Sequence, residues 1–271
     1  MPAEALRDSA GVLHAPAPDA RIVSLVPSIT ELLFDLGLGP RIVGRTGFCI
    51  HPDPAVRSVP KVGGTKDVRL GAMRALAPTH AIVNVDENDA GVVAAMRAFV
   101  PHVVVTHPNA PEDNLALYAL LGELFGARER ADALAERLRA ELDRCRRAEW
   151  SPERVLYLIW KDPWMTVAAD TYIARTLACV GWSVTTPPGG WAGAARYPVL
   201  DDIAAAAHAV DRVLLSTEPF LFTEVHAAAL RRDVTVPVQR IDAEMTSWYG
   251  SRAIRGLAYL RGLRRASADG P

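Results

Sequence analysis

The chain has 271 residues, half of them hydrophobic and 23% charged, so it can bury one large core or two modest ones. Its 30 basic and 31 acidic side chains give a net charge of −1 and form no basic stripe, which excludes nucleic acid as a partner class. No apolar run approaches the roughly 20 residues that a membrane-spanning helix requires.

Residues 1–20 are rich in Ala and Pro and predict a loose leader. They carry acidic residues where a signal peptide needs basic ones, and they lack the apolar core of roughly 7–15 residues that export requires. As written, the sequence therefore predicts a cytoplasmic protein. A leader removed from the chain, or a misplaced start, would instead make it periplasmic.

Short apolar runs alternate with helical segments through residues 21–110. The first run, 21–26, ends at Pro27 and leads into a helix in which Ser28 and Glu31 have the spacing of a capping box. Further strands are predicted at 42–45, 81–85 and 102–106, and further helices at 70–76 and 91–99. Such alternation is typical of a mainly parallel sheet covered by helices.

A long polar segment, residues 112–148, follows this first half. Its apolar residues recur at three- and four-residue spacings, which is typical of an amphipathic helix. We predict one unbroken helix of roughly 35 residues, which would be about 50 Å long at about 1.5 Å per residue. The alternative is two helices broken at Gly126, because glycine inside a helix costs up to about 1 kcal/mol.

The second half repeats the alternation. Strands are predicted at 154–160, 212–216 and 236–241, and helices at 171–180, 202–208, 223–230 and 251–263. The predicted fold class is α/β, with two Rossmann-like lobes of mainly parallel sheet joined by one long backbone helix. The predicted domains are the loose leader (1–20), an N-terminal α/β lobe (21–110), the linking backbone helix (111–150) and a C-terminal α/β lobe (151–271).

Ligands of such sheets bind at the carboxyl ends of the strands, so the loops after each strand are the candidate site. Pro27 and Ser28 follow the first strand, and Phe48, Cys49 and His51 follow the second. Cysteine and histidine bind zinc, copper or iron, but one pair is too few for a closed site. Either other strand-end residues complete a metal centre, or the thiol packs and the imidazole hydrogen-bonds within its loop.

Polar and aromatic residues follow the other strands. Lys66, after a Gly-Gly turn, offers a positive charge to a carboxylate or phosphate, and Glu87 and Asn88 form an acidic, amide-bearing loop. A simple turn and a helix cap are the structural alternatives for these two loops. Tryptophans at strand ends favour a wall against a flat or bulky organic ligand. The candidates in the second half are Trp160, Trp164, Trp191, Glu218, Asp242, Trp248 and Tyr249.

Common catalytic motifs are missing from the sequence. It contains no Gly-x-Ser-x-Gly elbow, no His-Glu-x-x-His and no Gly-x-Gly-x-x-Gly after the first strand. Hydrolase, metalloprotease and dinucleotide-binding functions are therefore not indicated, and we assign no catalytic residue.

The order of several short patterns resembles one known family. They are RIVSLVPSITE at 21–31, the pairs Leu36-Gly37 and Val43-Gly44, LAPTHAIV at 76–83, the long helical segment, 177–181 and 199–215. Together they cover nearly the whole chain beyond residue 20. They are similar to the class III substrate-binding proteins of ABC importers, the group that serves cobalamin, ferric siderophores and haem.

The resemblance implies two rigid α/β lobes, a helical backbone and a ligand held in the cleft between the lobes. That ligand would be a corrinoid, haem or ferric chelate, and the protein would be a monomer. In the family, an acidic residue on each lobe docks onto an ABC permease. The N-lobe position holds Gly71 here, so that docking carboxylate is absent, whereas Asp201 or Asp202 could serve in the C lobe.

Two functions remain open from the sequence. The first is a binding protein for a cobalamin-like, ferric-siderophore-like or metal-chelate ligand, with a role as a cytoplasmic carrier or sensor because no leader is visible. The alternative is an enzyme that acts on such a ligand, with Cys49, His51 and either Glu87 or Glu218 as a metal or acid–base centre.

Overall fold

A computed structural model describes residues 6–185 and 195–268 and divides them into two units. Unit 1 draws its described residues from Met1–Pro108, Glu112–Arg139 and Tyr249–Arg252. Unit 2 draws them from Asn109–Pro111, Ala140–Trp248 and Ala253–Pro271. A four-residue segment near the end of the chain, Tyr249–Arg252, therefore belongs to the first unit.

The sheet of unit 1 is parallel and is covered by helices. Its strands are β1 (Ile22–Ser24), β2 (Ile42–Arg45), β3 (His80–Asn84) and β4 (His102–Thr106), in the order β2-β1-β3-β4. The helices are α1 (Pro27–Asp35), α2 (Leu70–Ala75), α3 (Ala90–Met96) and α4 (Asn114–Phe125). Every residue of β1 and β3 is buried, as expected for strands with helices on both faces.

The sheet of unit 2 is mainly parallel. Its strands are β5 (Glu153–Trp160), β6 (Met165–Thr166), β7 (Trp182–Val184), β8 (Arg212–Ser216) and β9 (Val238–Ile241). They lie in the order β6-β5-β8-β9, with β7 also paired to β5, and β6 is antiparallel. The helices are α5 (Arg128–Arg147), which the division between the units crosses, α6 (Tyr172–Ala178), α7 (Ile203–His208), α8 (Glu224–Asp233), α9 (Glu244–Ser247) and α10 (Arg252–Ala268).

The predicted fold class, α/β with two lobes of mainly parallel sheet, is confirmed. Strands β6 and β7 and helix α9 were not predicted, because segments of two to four residues carry too little periodicity to be recognised. Since the paired strands other than β6 run in the same direction, their carboxyl ends share one edge of each sheet. We call these edges, with the loops that follow the strands, the carboxyl edges of unit 1 and unit 2.

The prediction of one unbroken linking helix is wrong, and the alternative of a break at Gly126 is correct. Helix α4 ends at Gly126, which has the left-handed conformation (φ +70°), and α5 begins at Arg128. The Ala127 N–H donates to the Gly122 carbonyl at 2.7 Å, which satisfies one of the last carbonyl groups of α4. Glycine adopts this conformation without strain, so the sequence ends one helix where apolar periodicity alone predicted continuation.

The predicted capping box at the start of α1 is also wrong. The N-cap position is Val26, Pro27 is the first helical residue, and no side chain caps the helix. Glu31 instead pairs with Arg252, with the guanidinium donating to both carboxylate oxygens at 2.7 and 2.8 Å. The Ser-x-x-Glu spacing is therefore coincidental, because the glutamate serves a distant partner.

Residues 6–20 contradict the prediction of a loose leader, and residues 1–5 lie outside the described part of the chain. The buried carboxylate of Asp8 accepts hydrogen bonds from the N–H groups of Ala10, Val12 and Val105. His14, also buried, lies 3.0 Å from the same carboxylate. This segment is therefore packed against the edge of β4.

Stability should fall in acid because of a histidine at the amino ends of β3 and β4. His80 is buried and its ring stacks on His102 at 4.7 Å. Burial, helped by the neighbouring His102, lowers the pKa of His80 from 6.5 to about 4. The unfolded chain therefore binds this proton near pH 6.5 while the folded protein resists it, so stability is lost as the pH falls from about 6.5 towards 4.

Urea denaturation at pH 7, 6 and 5 measures this effect. We expect His80→Phe, which keeps an aromatic ring and cannot take up a proton, to lose less stability between pH 7 and pH 5 than the wild-type protein. An equal loss in both proteins would contradict the assignment.

Candidate functional site

Large apolar side chains are exposed at both carboxyl edges. Phe48 and Leu221 are 63% and 61% exposed, and the others are Ile50, Val85 and Trp160. They follow β2, β3 and β8 or, in the case of Trp160, end β5. Single exposed apolar side chains are ordinary, but several that follow strands of the same sheet are candidates for a ligand contact, because contiguous apolar surface marks binding sites. The carboxyl edges are therefore the candidate ligand-binding surfaces.

The loop after β2 is held rigidly by Cys49. The thiol is fully buried, and the hydroxyl oxygens of Thr30 and Thr46 lie 3.0 and 3.2 Å from its sulfur. The buried guanidinium of Arg45 donates to the carbonyl groups of Thr46, Cys49 and Val56. Cys49 therefore points inward as an anchor. Its neighbours, Phe48 and Ile50, are exposed.

Thiol labelling tests this position of Cys49. Burial raises the pKa of its thiol, Cys145 is also buried, and Cys179 is partly exposed. In folded protein at pH 8 we expect an aromatic disulfide reagent to label one thiol of the three, Cys179, quickly. Cys179→Ser should abolish the fast phase, and urea should release the other two. Fast labelling of Cys49 in folded protein would contradict the anchored geometry.

Within the described ranges 6–185 and 195–268, no three His, Cys, Asp or Glu side chains are grouped to hold a metal ion. His51, after the anchored thiol, is half-buried. A metal centre at Cys49 and His51 stays a prediction from the sequence alone.

The start of α1 and the loop after β3 contribute residues that hold backbone in place. Pro27 is half-buried and Ser28 is buried in the first turn of α1. The buried amide of Asn88 donates to the carbonyl groups of Leu25 and Thr65 and accepts from the N–H of Asn84. Asn88 thus joins three loops at the carboxyl edge of unit 1. Lys66, next to Thr65, is exposed.

Glu87, after β3, is fixed by Tyr249 of the same unit. The Tyr249 hydroxyl lies 2.6 Å from Oε1 of Glu87. Burial, and then the negative charge of Glu87, raise the pKa of Tyr249 well above its ordinary value, so the phenol stays protonated and donates a hydrogen bond to the carboxylate. The Gly250 N–H donates to Asn114, and Tyr118 donates to the Gly250 carbonyl at 2.8 Å, which holds Tyr249 in position.

In unit 2, Glu218 is fixed in a similar way. The indole N–H of Trp248 donates to Oε2 of Glu218 at 3.1 Å. Asp242 accepts from the N–H of Glu244 at 3.0 Å and so stabilises the start of the short helix α9, which leads to Trp248. The predicted site residues Glu218, Asp242 and Trp248 therefore lie together in this unit.

An aromatic cluster borders the carboxyl edge of unit 2. Phe222 is fully buried, and the Trp164 ring stacks parallel to it at 5.9 Å. Phe220 contacts Phe222 at 4.7 Å and Trp160 edge-to-face at 5.7 Å. Trp160 is thus the exposed end of the cluster, and Trp164 packs on the core side. Trp191 lies outside the described residues.

Three of the exposed apolar residues were not predicted as site residues from the sequence: Ile50, Val85 and Leu221. Each stands one to five residues after a strand, so position relative to the strand end was an available signal. Branched aliphatic residues in loops are less conspicuous than tryptophan, and their exposure depends on which neighbour points inward.

The two predicted docking carboxylates differ in their surroundings. Asp202 is the N-cap of α7 and accepts hydrogen bonds from the N–H groups of Ala204 and Ala205. Asp201, immediately before it, is exposed.

In the described part of the chain, no helix is both long and apolar enough to cross a bilayer.

Known proteins resemble this chain along most of its length. The family model described as periplasmic binding protein matches residues 22–211. An ABC transporter substrate-binding lipoprotein of Bacillus subtilis (strain 168) is 26% identical over 181 residues, which are 60% of this chain and 57% of that protein. The alignment therefore spans little more than half of that relative. The vitamin B12-binding protein of Vibrio campbellii is 22% identical over 216 residues, 79% of this chain and 74% of that protein.

Solved structures share the fold at low sequence identity. The periplasmic vitamin B12 binding protein of Vibrio cholerae superimposes with a TM-score of 0.76 at 16% identity, covering 93% of this chain and 99% of that chain. The periplasmic heme-binding protein of Roseiflexus sp. RS-1 gives 0.70 at 22% identity, covering 93% and 98%. The family model matches well over half of the chain and agrees with the resemblance identified in the sequence, so the chain belongs to the periplasmic binding protein family.

Proposed function

We propose that this protein is the substrate-binding component of an ABC importer and that it binds a bulky organic metal chelate, such as a corrinoid, haem or ferric siderophore. The observation that carries the proposal is the set of large apolar side chains exposed at the carboxyl edges, above all Phe48, Trp160 and Leu221. Ligand pockets are lined mainly by apolar and aromatic side chains with a few polar groups, and several exposed apolar residues after strands of the same sheet supply such a lining.

The chemistry of these edges suits a large, partly apolar ligand with polar groups at its rim. Exposed Phe48, Ile50 and Trp160 offer apolar contact, while Lys66 and Glu87 offer polar contact. Relatives described as vitamin B12-binding and heme-binding proteins support this ligand class. A small ion or sugar would not need so much apolar surface.

The comparisons favour a place outside the cytoplasm. One relative is described as a lipoprotein of an ABC transporter, and solved structures with the same fold are described as periplasmic. They support the periplasmic alternative over the cytoplasmic carrier predicted from residues 1–20.

An importer of this class requires a permease. We propose exposed Asp201 as the docking carboxylate of unit 2, because Asp202 already caps α7.

Binding is favoured over the enzyme alternative. The proteins that the chain resembles are named for binding. An acid–base or metal centre built on Cys49 would need access to its thiol, whereas the sulfur is fully buried beside Thr30 and Thr46.

Titration with cyanocobalamin, hemin and ferrichrome, followed by calorimetry and tryptophan fluorescence, tests the proposal. We expect one of the three to bind with micromolar or tighter affinity, and Phe48→Ala or Trp160→Ala to weaken it by about tenfold or more, as loss of a buried aromatic contact does. Val225→Ala is the control, because Val225 is exposed on α8 and is not a strand-end residue. No binding of any of the three would overturn the proposal.

A further inference from the structure

We propose that His226 is a positioning residue for ligand binding in unit 2. Its ring holds Phe220, and through Phe220 it holds Trp160, so that an apolar wall is ready for the face of a tetrapyrrole ring. We call Trp160, Phe220 and Leu221 the apolar wall. The inference rests on the proposed function and narrows it, because a haem or a corrinoid offers a conjugated ring face and a hydroxamate siderophore does not.

The apolar wall contains a chain of edge-to-face ring contacts that ends at His226. Trp160, which is 39% exposed, contacts Phe220 at 5.7 Å between ring centroids. Phe220 in turn contacts the half-buried His226 imidazole at 5.3 Å, with the two ring planes 74° apart. Aromatic pairs favour this edge-to-face arrangement. Phe220 is therefore held between an exposed indole and a half-buried imidazole.

The main chain behind the apolar wall is also fixed. The Phe220 N–H donates to the Ile159 carbonyl at 3.3 Å, which joins the loop after β8 to the end of β5. Further along this loop, the Arg240 guanidinium donates to the Phe222 carbonyl at 3.0 Å. Leu221, between Phe220 and Phe222, is 61% exposed. The loop thus presents Leu221 to solvent on a main chain that is held on both sides.

His226 is itself fixed by the cap of α8. It is the third residue of that helix, and its Nδ1 accepts the Thr223 N–H at 3.0 Å, which forms part of a capping box. Glutamate or glutamine usually fills this position, because the cap requires only a side-chain acceptor. Histidine supplies the acceptor on an aromatic ring, and that ring packs edge-on against both Phe220 and Phe222. The histidine therefore has a second role besides capping.

A wall held in this way favours binding because the ligand does not have to order it. An aromatic side chain loses rotamer freedom when a ligand packs on it, and a ring that is fixed beforehand has less freedom to lose. Aromatic rings beside an exposed leucine suit an extended conjugated ring better than a compact chelate with a polar surface. The apolar wall should therefore favour hemin or cyanocobalamin over ferrichrome.

Titration of the wild-type protein with these three probes tests the ligand class. We expect hemin or cyanocobalamin to bind about tenfold more tightly than ferrichrome, because aromatic contacts add to the apolar surface that the ligand buries. The variants below are then compared on the tetrapyrrole that the wild-type protein binds more tightly.

Two substitutions of His226 separate its ring from its capping role. His226→Gln keeps a capping side chain and removes the ring, whereas His226→Phe keeps a ring and removes the acceptor. We expect His226→Gln to weaken tetrapyrrole binding by about three- to tenfold, and His226→Phe to weaken it by no more than about twofold. A residue that acted only as a cap would give the reverse order of affinities, which would overturn the inference.

His208→Gln is the matched control, because it changes an exposed histidine at the end of α7 in the same unit. It should leave the affinity unchanged. Thermal melting of each variant shows whether the protein that is titrated is folded.

A double variant tests whether His226 acts through Phe220. Phe220→Leu removes the ring between Trp160 and His226 and keeps an apolar side chain. In that background His226→Gln should cost no further affinity, because two residues that act through one contact are not additive. Losses that add in the double variant would contradict the positioning role.

Acrylamide quenching of tryptophan fluorescence gives a readout without any ligand. The protein has six tryptophans, so the contribution of Trp160 is taken as the difference from a matched Trp160→Phe variant. We expect quenching of Trp160 to increase in His226→Gln and to stay near the wild-type value in His226→Phe. Unchanged quenching in His226→Gln would show that the imidazole ring does not hold the indole.

The outcomes separate this inference from the proposed function. Binding of ferrichrome with neither hemin nor cyanocobalamin bound would overturn the inference and leave the proposed function standing. Wild-type affinity of His226→Gln for a tetrapyrrole would overturn the positioning role and also leave the proposed function standing. Binding of none of the three probes would overturn the proposed function and the inference with it.

Discussion

Glu31→Ala is expected to lower the free energy of unfolding by about 3–5 kcal/mol, because it leaves the Arg252 guanidinium buried and deprived of this carboxylate. The two side chains are 4% and 5% exposed and are joined by two hydrogen bonds of 2.7 and 2.8 Å. Since Arg252 ends the segment that holds Tyr249 in unit 1, the variant should also weaken ligand binding. Urea denaturation and titration with the wild-type ligand measure the two effects.

Two further variants test the cause. Replacing both residues by methionine should recover most of the stability, because apolar pairs of similar volume replace buried ion pairs at little cost. Glu224→Ala breaks an exposed ion pair with Arg231 on α8 and should lower stability by no more than about 1 kcal/mol. A loss below about 1 kcal/mol in Glu31→Ala would contradict the role assigned to this buried pair.

The same residue illustrates what a sequence can and cannot predict. The strand at 22–24 and the helix after it were recognised because apolar runs and Pro27 act over a few residues. The partner of Glu31 lies 221 residues away, and no local pattern indicates it. A Ser-x-x-Glu spacing looks the same whether the glutamate caps its own helix or reaches across the unit.

The candidate site shows a similar limit. Position after a strand was enough to select Phe48, Trp160, Glu87 and Glu218 from the sequence, because parallel strands share their carboxyl edge. Whether the side chain of such a residue faces solvent or fixes the backbone of a neighbouring loop depends on tertiary packing. Asn88 joins three loops, and Cys49 anchors the loop that exposes its neighbours. The local sequence around Asn88 and Cys49 does not distinguish a side chain that fixes a loop from one that contacts the ligand.

The break after α4 has a local signal in the sequence, Gly126. Gly126 stands where the helical periodicity of the apolar residues continues. Glycine inside a helix costs about 1 kcal/mol, which is small beside the free energy gained by burying the apolar stripe around it. The turn is also stabilised by close packing: a Cβ placed on Gly122 would lie 2.5 Å from the Cβ of Ala131. Two glycines four residues apart therefore act together, and only the folded chain shows that they do.

Gly256→Ala is expected to reduce both stability and ligand binding. A Cβ on Gly256, in α10, would lie 2.2 Å from the carbonyl oxygen of Met245 in α9, and backbone cannot yield as a flexible side chain does. Overpacking of this kind typically costs about 1–3 kcal/mol and occasionally more. The shift of α9 should also move Trp248, which follows it, away from Glu218 and weaken ligand binding by about tenfold.

Gly262→Ala on the same helix is the matched control. No atom lies within 4 Å of a Cβ placed there, so the change only replaces glycine by the best helix former and should stabilise the protein by about 0.5–1 kcal/mol. Urea denaturation and ligand titration of both variants separate helix propensity from the contact with α9. If Gly256→Ala matched Gly262→Ala in stability and affinity, the close approach of α10 to Met245 would not be what holds Trp248 in place.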